Sequence, residues 1–106
     1  MKGFNEFRSY ALVTGAASGM GRIYSLQLAQ KGYNIIMVDI NAAGLQETER
    51  IVREAIEASA EISREHKDAF RMLSIAQDLS VAEAADKIHA VTEAAGCVVE
   101  VLVNNA

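Results

Sequence analysis

The sequence predicts an α/β fold in which a parallel sheet carries helices on both faces. Short apolar segments typical of strands alternate with longer segments typical of amphipathic helices from residue 10 to residue 103. Residues 10–14 form a short apolar run typical of a strand. Residues 33–39 are almost continuously apolar, as expected of a strand that is covered on both sides. Strands that alternate with helices in this way pair in parallel through right-handed crossovers.

The first unit consists of a strand at 10–14, a glycine-rich turn, and a helix over 22–31 that Gly32 is placed to end. The second strand, 33–39, is followed by one long helix that we expect to run from Asn41 to about His66. Its apolar residues recur at helical spacing, and its charged residues fall on the opposite side. Pairs four residues apart, Arg50 with Glu54 and Arg53 with Glu57, are expected on that solvated side.

The second half repeats the alternation. A third strand is predicted over 69–76. Ser80 and Glu83 have the S-x-x-E spacing of a capping box, so a third helix should begin there and stop at Gly96. A fourth strand is predicted over 97–103, which gives four strands and three helices in the order β-α-β-α-β-α-β.

Composition excludes several function classes. The net charge is −4 and the ten Lys and Arg residues are scattered, so the basic footprint of a nucleic-acid-binding protein is missing. No apolar run approaches the roughly 18 residues of a membrane span, and the N-terminus lacks a signal-peptide core. We therefore expect a cytoplasmic protein that binds neither nucleic acid nor membrane. A single cysteine, Cys97, gives no metal-site spacing.

The turn after the first strand is the strongest functional signal. Its glycines, Gly15, Gly19 and Gly21, stand where a tight turn brings the backbone close to a pyrophosphate and lets the next helix pack against the sheet. The spacing is G-x-x-x-G-x-G, and such a turn can also be a simple tight connection. Its position between a buried strand and a helix favours a phosphate-binding role.

Asp39, which ends the second strand, is the second signal. A carboxylate at this point can accept hydrogen bonds from the adenosine ribose hydroxyls of a dinucleotide. It would repel a 2′-phosphate, and Ile40 after it is not a cation, so NAD is favoured over NADP. The alternative interpretation is that Asp39 only starts the turn into the next helix.

With these residues the chain resembles the short-chain dehydrogenase/reductase family over essentially all its length. The segment 14–21 fits the family's T-G-x-x-x-G-x-G turn, Asp78-Leu79 its D-[LV] pair, and 104–106 the start of its N-N-A-G. The resemblance implies a Rossmann-type doubly wound sheet with strand order 3-2-1-4. Residues 1–106 would then form the N-terminal part of a single dinucleotide-binding domain.

The resemblance also implies which residues meet the cofactor. The glycine turn would line the ribose and pyrophosphate, position 39 would hold the ribose, and the residues that follow strands 3 and 4 would lie along the adenine and adenosine. The implied cofactor-binding residues are Gly15, Ser18, Gly19, Met20, Gly21, Asp39, Asp78, Leu79, Asn104 and Ala106. For Asn105 we expect a structural role, tying the fourth strand to its neighbours. Ser18 stands where NADP-preferring relatives often carry a basic residue.

The family's acid–base Tyr and its Lys, spaced Y-x-x-x-K, do not occur in this sequence, so no catalytic residue is assigned. Two hypotheses follow. The first is the NAD-binding portion of an oxidoreductase that moves hydride between a nicotinamide cofactor and an alcohol or carbonyl substrate. The second is a non-catalytic nucleotide-binding or assembly module. Because the fourth strand would form an apolar sheet edge, we also expect a homo-oligomer.

Overall fold

The computed structural model describes residues 9–105. It has four strands and four helices in the chain order β1 (Ser9–Thr14), α1 (Gly19–Gln30), β2 (Asn34–Asp39), α2 (Ala42–Ala58), α3 (Arg64–Ala69), β3 (Met72–Ala76), α4 (Ala84–Ala94) and β4 (Val98–Val103). All pairings between neighbouring strands are parallel, and the sheet order is β3-β2-β1-β4. The predicted α/β class and strand order are therefore confirmed, with four helices instead of three.

The two faces of the sheet are covered unequally. On one face, α1 and α2 bury a cluster that includes Ala11 and Met37 of the strands and Leu45 and Val52 of α2. On the other face, Leu12, Ile36 and Val38 form a smaller cluster. There α4 contributes the partly buried Ile88, and most of the other α4 side chains are exposed. The sheet is doubly wound, but only its α1–α2 side is fully packed.

The prediction of one helix from Asn41 to about His66 is wrong. Helix α2 ends at Ala58, and Ser59 takes an extended conformation in which its hydroxyl accepts a hydrogen bond from the N–H of Glu61 at 3.2 Å. Ser63 then caps the short helix α3 by accepting from the N–H of His66 at 3.0 Å. Serine side chains that bond to nearby backbone compete with helix continuation, and two of them flank this break.

Two details of the charged face and the third strand also differ from prediction. Arg50 does pair with Glu54, at 3.0 Å, but Arg53 pairs with Glu49 and not with Glu57. Glu57 instead pairs with Arg64 across the break between α2 and α3. Because α3 takes the chain as far as Ala69, strand β3 begins at Met72, three residues later than predicted.

The predicted capping box at Ser80 and Glu83 is also wrong. Helix α4 begins at Ala84, and Glu83 precedes it without any side-chain capping bond. Ser80 uses both its N–H and its hydroxyl to donate to one oxygen of Asp78, at 2.9 and 2.7 Å. This local turn satisfies Ser80 before a helix can start, which is the usual competition between Asx turns and caps.

Within residues 9–105, no helix combines the length and apolar character needed to cross a membrane.

Candidate functional site

The glycine turn lies at the carboxyl end of β1 and leads into α1. Gly15 and Gly19 have φ angles of 66° and 58°, a region that favours glycine over residues with a side chain. The N–H of Ala16 donates to the carbonyl of Val38 at 3.2 Å, which joins the turn to the end of β2. The predicted turn is therefore present, at the edge of the sheet where parallel strands end.

Gly21 allows α1 to pass very close to the turn. A Cβ built on Gly21 would lie 2.0 Å from the carbonyl oxygen of Gly15 and 2.9 Å from the Cα of Ala16. Both are backbone atoms, so neither can swing aside as a flexible side chain could. The helix can begin at this point only because position 21 carries no side chain.

The inner side of the turn is held by two side chains from α1 and α2. Arg22 donates from Nη2 to the carbonyl of Ala17 at 2.6 Å and from Nε to the hydroxyl of Thr48 at 2.9 Å. Thr48 is completely buried, and its hydroxyl donates to the carbonyl of Ala16 at 2.7 Å. Two successive carbonyls of the turn are therefore bound from inside the protein.

Asp39 lies on the outer side of the same turn. Its Oδ2 accepts a hydrogen bond from the N–H of Ala17 at 3.0 Å, and its Oδ1 accepts from the N–H of Asn41, also at 3.0 Å. Each oxygen of an ionised carboxylate can accept two hydrogen bonds. Asp39 is thus fixed in direction by the backbone while both of its oxygens keep capacity to accept from a ligand.

Asp78 and Leu79 follow β3 on the same side of the sheet. The hydroxyl and the N–H of Ser80 both donate to Oδ1 of Asp78 and hold the pKa of this carboxyl below its usual range. The other oxygen, Oδ2, makes no hydrogen bond within the part of the chain that the structure describes. Asp78 therefore stays charged at neutral pH.

These segments enclose a cleft of about 170 Å³ at the carboxyl ends of β1, β2 and β3. Its lining residues are Gly15, Asp39, Ile40, Gln77, Asp78, Leu79 and Ser80. Four of the residues singled out in the sequence, Gly15, Asp39, Asp78 and Leu79, are therefore brought together around one cavity. Ser18, Gly19 and Met20 are exposed at the start of α1, on the outer surface of the turn, and do not line the cleft.

The end of β4 is tied to the end of β1. The hydroxyl of Thr14 accepts a hydrogen bond from the N–H of Asn105 at 2.8 Å and lies 3.2 Å from Oδ1 of Asn104. The side chain of Asn105 reaches the carbonyl of Gly15 at 3.5 Å. These contacts match the structural role expected of Asn105. Asn104 is exposed and lines the apolar groove between α4 and β4, not the cleft, and Ala106 lies outside the described residues.

Sequence reasoning missed the inner support of the turn. Arg22 opens the helix predicted over 22–31 and gave no functional signal there, yet its side chain bonds to Thr48 on a different helix. Gly44 also escaped notice, although a glycine in the first turns of a helix costs about 1 kcal/mol relative to alanine and is a usable signal. A Cβ at Gly44 would lie 2.7 Å from the Cβ of Ala17, so this glycine lets α2 approach the turn.

Comparison with known proteins identifies the family. The family model described as short chain dehydrogenase matches residues 9–106. A very-long-chain 3-oxoacyl-CoA reductase of Pyrenophora tritici-repentis is 30% identical over 102 residues, which are 96% of this chain and 27% of that protein. The chain thus spans about a quarter of the length of this curated relative.

Two solved structures share the fold at comparable identity. A metagenomic short-chain oxidoreductase in complex with NADP is 30% identical, with a TM-score of 0.70 over 92% of this chain and 38% of that one. An NAD⁺-bound xylitol dehydrogenase is 28% identical, with a TM-score of 0.71 over 92% of this chain and 33% of that one. The sheet order, the glycine turn and the family match over 9–106 agree: this chain belongs to the short-chain dehydrogenase family.

Proposed function

We propose that residues 9–105 bind the adenosine half of a nicotinamide dinucleotide, in the cleft between the glycine turn and the residues after β3. The observation that carries this proposal is the placement of Asp39. Its carboxylate is fixed by the backbone N–H groups of Ala17 and Asn41 and lines the cleft together with Gly15 and Asp78. A rigid acceptor at this position suits the hydroxyls of the adenosine ribose.

The start of α1 suits the phosphates of the same ligand. Ser18 precedes the helix in an extended conformation, and its hydroxyl makes no capping bond. The first turn of α1 contains no acidic residue, so no side chain of its own offsets the positive end of the helix dipole. Backbone N–H groups that are free at a helix start bind phosphate oxygens well. Ser18, Gly19 and Met20 are therefore the proposed phosphate contacts.

We further propose that the site prefers NAD over NADP. Asp39 and Asp78 are both carboxylates, and none of the described residues that line the cleft is Lys or Arg. A 2′-phosphate on the ribose would lie beside the charge of Asp39 with no cation to balance it. The solved relatives include one with NADP and one with NAD⁺, so the preference rests on these residues alone.

Equilibrium titration of the full-length protein with NAD⁺ and NADP⁺ tests this preference. Asp39 is partly exposed, so we expect its charge to contribute about 1–2 kcal/mol of discrimination, a factor of roughly 5 to 30. Asp39→Asn should reduce the difference between the NAD⁺ and NADP⁺ affinities by that factor, because it removes the carboxylate charge while keeping the size of the side chain. Asp86→Asn, which removes an exposed charge from α4, is the matched control and should change nothing. Tighter binding of NADP⁺ by the unmodified protein would refute the preference.

For the whole protein we propose an oxidoreductase that interconverts an alcohol and a carbonyl compound. The nicotinamide carries the hydride in such a reaction, and the protein supplies binding and orientation. The name of the Pyrenophora relative makes a 3-oxoacyl thioester the first substrate to test. Oxidation of NADH or NADPH by the full-length protein would be followed at the nicotinamide absorbance. Turnover by residues 1–106 alone would contradict the expectation that the acid–base group lies outside this segment.

We also propose that strand β4 pairs with β structure of a second copy of the chain. It forms one edge of the sheet, and Val98 and Leu102 are 46% and 66% exposed. The groove between β4 and α4 is apolar and measures about 570 Å³. A bulge in β4 opposes this pairing between copies. Tyr10 pairs with Val99 and Ala11 with Val101, so Glu100 is an extra residue in β4, and bulges of this kind protect sheet edges from pairing with other chains.

Sedimentation over a concentration series tests the association. Leu102→Lys should weaken it, because the new charge lies on the exposed face of β4. A lysine at Val101 would not serve this test, because Val101 packs against the core cluster on the α1–α2 face and the substitution would disturb folding. Val91→Lys on α4 is the control, because Val91 is also exposed but does not line the groove. A monomer at every concentration would reject the proposal.

A further inference from the structure

Arg22 and Thr48 hold two successive peptide groups of the glycine turn from their inner side. Arg22 binds the carbonyl of Ala17 and Thr48 binds the carbonyl of Ala16, at 2.6 and 2.7 Å. The two side chains also bind each other at 2.9 Å. Because Arg22 comes from α1 and Thr48 from α2, the turn is fixed to both helices at once.

The planarity of the peptide bond fixes the direction in which the N–H groups of the turn point. In a trans peptide the C=O of one residue and the N–H of the next point in opposite directions. The carbonyl of Ala16 points inward to Thr48, so the N–H of Ala17 points outward, where it meets Oδ2 of Asp39 at 3.0 Å. The carbonyl of Ala17 points inward to Arg22, so the N–H of Ser18 must also point outward.

Of these two N–H groups, only that of Ser18 lacks an acceptor among the residues that the structure describes. It makes no hydrogen bond within residues 9–105, and Ser18 itself is exposed. The N–H of Ala17 is already taken by Asp39. The two inner contacts therefore present two different groups to a ligand, the oriented carboxylate of Asp39 and the free N–H of Ser18.

We propose that Arg22 and Thr48 are positioning residues for the dinucleotide, a role that rests on the proposed function of this site. Through the carbonyl of Ala17, Arg22 aims the N–H of Ser18 at a phosphate oxygen of the ligand. Through the carbonyl of Ala16, Thr48 aims the N–H of Ala17 at Asp39 and so supports the ribose contact. Neither side chain touches the ligand, because both lie on the inner side of the turn.

For ligand binding, we expect the shape of the Arg22 guanidinium to matter more than its charge. The guanidinium binds the carbonyl of Ala17 and the hydroxyl of Thr48 from two different nitrogens, and it also lies 3.5 Å from the carbonyl of Gly44. A lysine at position 22 would keep the charge but presents a single ammonium group that cannot reproduce this fork. Arg22→Lys is therefore expected to bind the ligand as poorly as Arg22→Met.

The test compares ADP-ribose, which carries the phosphates, with adenosine, which does not, by equilibrium titration of the full-length protein. Arg22→Met should weaken ADP-ribose binding about tenfold, the size expected for one hydrogen bond to a charged group, and leave adenosine binding within roughly twofold. Thr48→Val should weaken both ligands, because it also loosens the Ala17 contact with Asp39. Thr48→Ser keeps the hydroxyl and should restore both affinities.

Two controls distinguish a positioning role of Arg22 and Thr48 from the effects of a lost charge and of lowered stability. Arg50→Met removes the same charge from the exposed face of α2 and should change neither affinity. Thermal unfolding without ligand reports any loss of stability in the variants. Thr48 is fully buried, so Thr48→Val can fail to fold; the proposal is then tested by the variants of Arg22, which is partly exposed.

The proposal is overturned if Arg22→Lys binds like the unmodified protein, or if Arg22→Met weakens both ligands equally or neither. Failure of the unmodified protein to bind either ligand would reject the proposed function itself, and the positioning role with it.

Discussion

Replacing Gly21 by alanine tests the close approach of α1 to the glycine turn. The new Cβ would lie 2.0 Å from the carbonyl oxygen of Gly15, 2.6 Å from its carbonyl carbon and 2.9 Å from the Cα of Ala16. The turn cannot easily retreat, because Arg22 and Thr48 bind the carbonyls of Ala17 and Ala16 from behind. The helix and the turn must therefore separate.

The expected cost is the balance of two opposing effects. Forcing an extra carbon into a closely packed site costs about 1–3 kcal/mol and occasionally more, and a contact with backbone on both sides belongs at the upper end. Alanine gains about 0.5–1 kcal/mol over glycine inside a helix. We therefore expect Gly21→Ala to lower the free energy of unfolding by about 2–2.5 kcal/mol. For a domain of about 100 residues this lowers Tm by roughly 10 °C or more.

Thermal unfolding followed by circular dichroism measures this difference. Gly19→Ala is the matched control in the same turn, since its φ is +58° but no atom lies within 4 Å of its built Cβ. That variant carries only backbone strain of roughly 1–2 kcal/mol. Gly21→Ala should be the less stable of the two. An unchanged or raised Tm for Gly21→Ala would show that the turn relaxes freely, contrary to the account of its support.

Three further outcomes follow from single side chains. Thr14→Val should lower the free energy of unfolding by about 1–2 kcal/mol in a denaturant titration, because the N–H of Asn105 loses its acceptor; no loss would mean that the β1–β4 tie is not needed. Ser80→Ala should raise the pKa of Asp78 towards the usual value of about 3.9, as read from carboxyl NMR. The lowered pKa of Asp78 stabilises the folded state fully above a pH of about 3.9, and this stabilisation is lost as the pH falls through the pKa of the folded state. An Asp78 titration midpoint that is the same in Ser80→Ala and in the unmodified protein would refute the role of Ser80. Ser63→Ala should destabilise α3 by about 1 kcal/mol, seen as faster amide exchange at His66, and unchanged exchange would deny the cap.

The sequence predicted those features that depend on pattern along the chain. Alternating strands and helices, with apolar strands in the middle, require a parallel sheet covered on both faces, and the structure has it in the order β3-β2-β1-β4. Residues that end parallel strands meet at one edge of the sheet. Asp39 and Asp78, which end or follow β2 and β3, therefore line one cleft although 39 positions separate them in the chain.

The prediction failed where short polar side chains choose between local partners. The apolar spacing continues past Ala58 to Ile62, which still packs against the core, so periodicity alone extends the helix. Ser59 ends it by bonding to the backbone of Glu61. Ser80 likewise bonds to Asp78 and not to the start of α4. Either choice was compatible with the sequence, because each serine has more than one possible partner within a few residues along the chain.

The support of the turn could not be predicted because it joins residues far apart in the chain. Arg22 and Thr48 are separated by 26 positions, and their contact depends on how α1 and α2 pack. A threonine inside a helix is an ordinary residue in sequence, and its hydroxyl gains a role only when α2 carries it under the carbonyl of Ala16. Gly44, which permits that approach, was the one local clue.

A crystal structure of the full-length protein with bound ADP-ribose tests the central claim most directly. We predict that a ribose hydroxyl of the adenosine donates to the carboxylate of Asp39, that the adenine lies beside Asp78 and Leu79, and that a phosphate oxygen accepts from the N–H of Ser18. A ligand bound in the groove between α4 and β4, with Asp39 facing only the N–H groups of Ala17 and Asn41, would contradict the account.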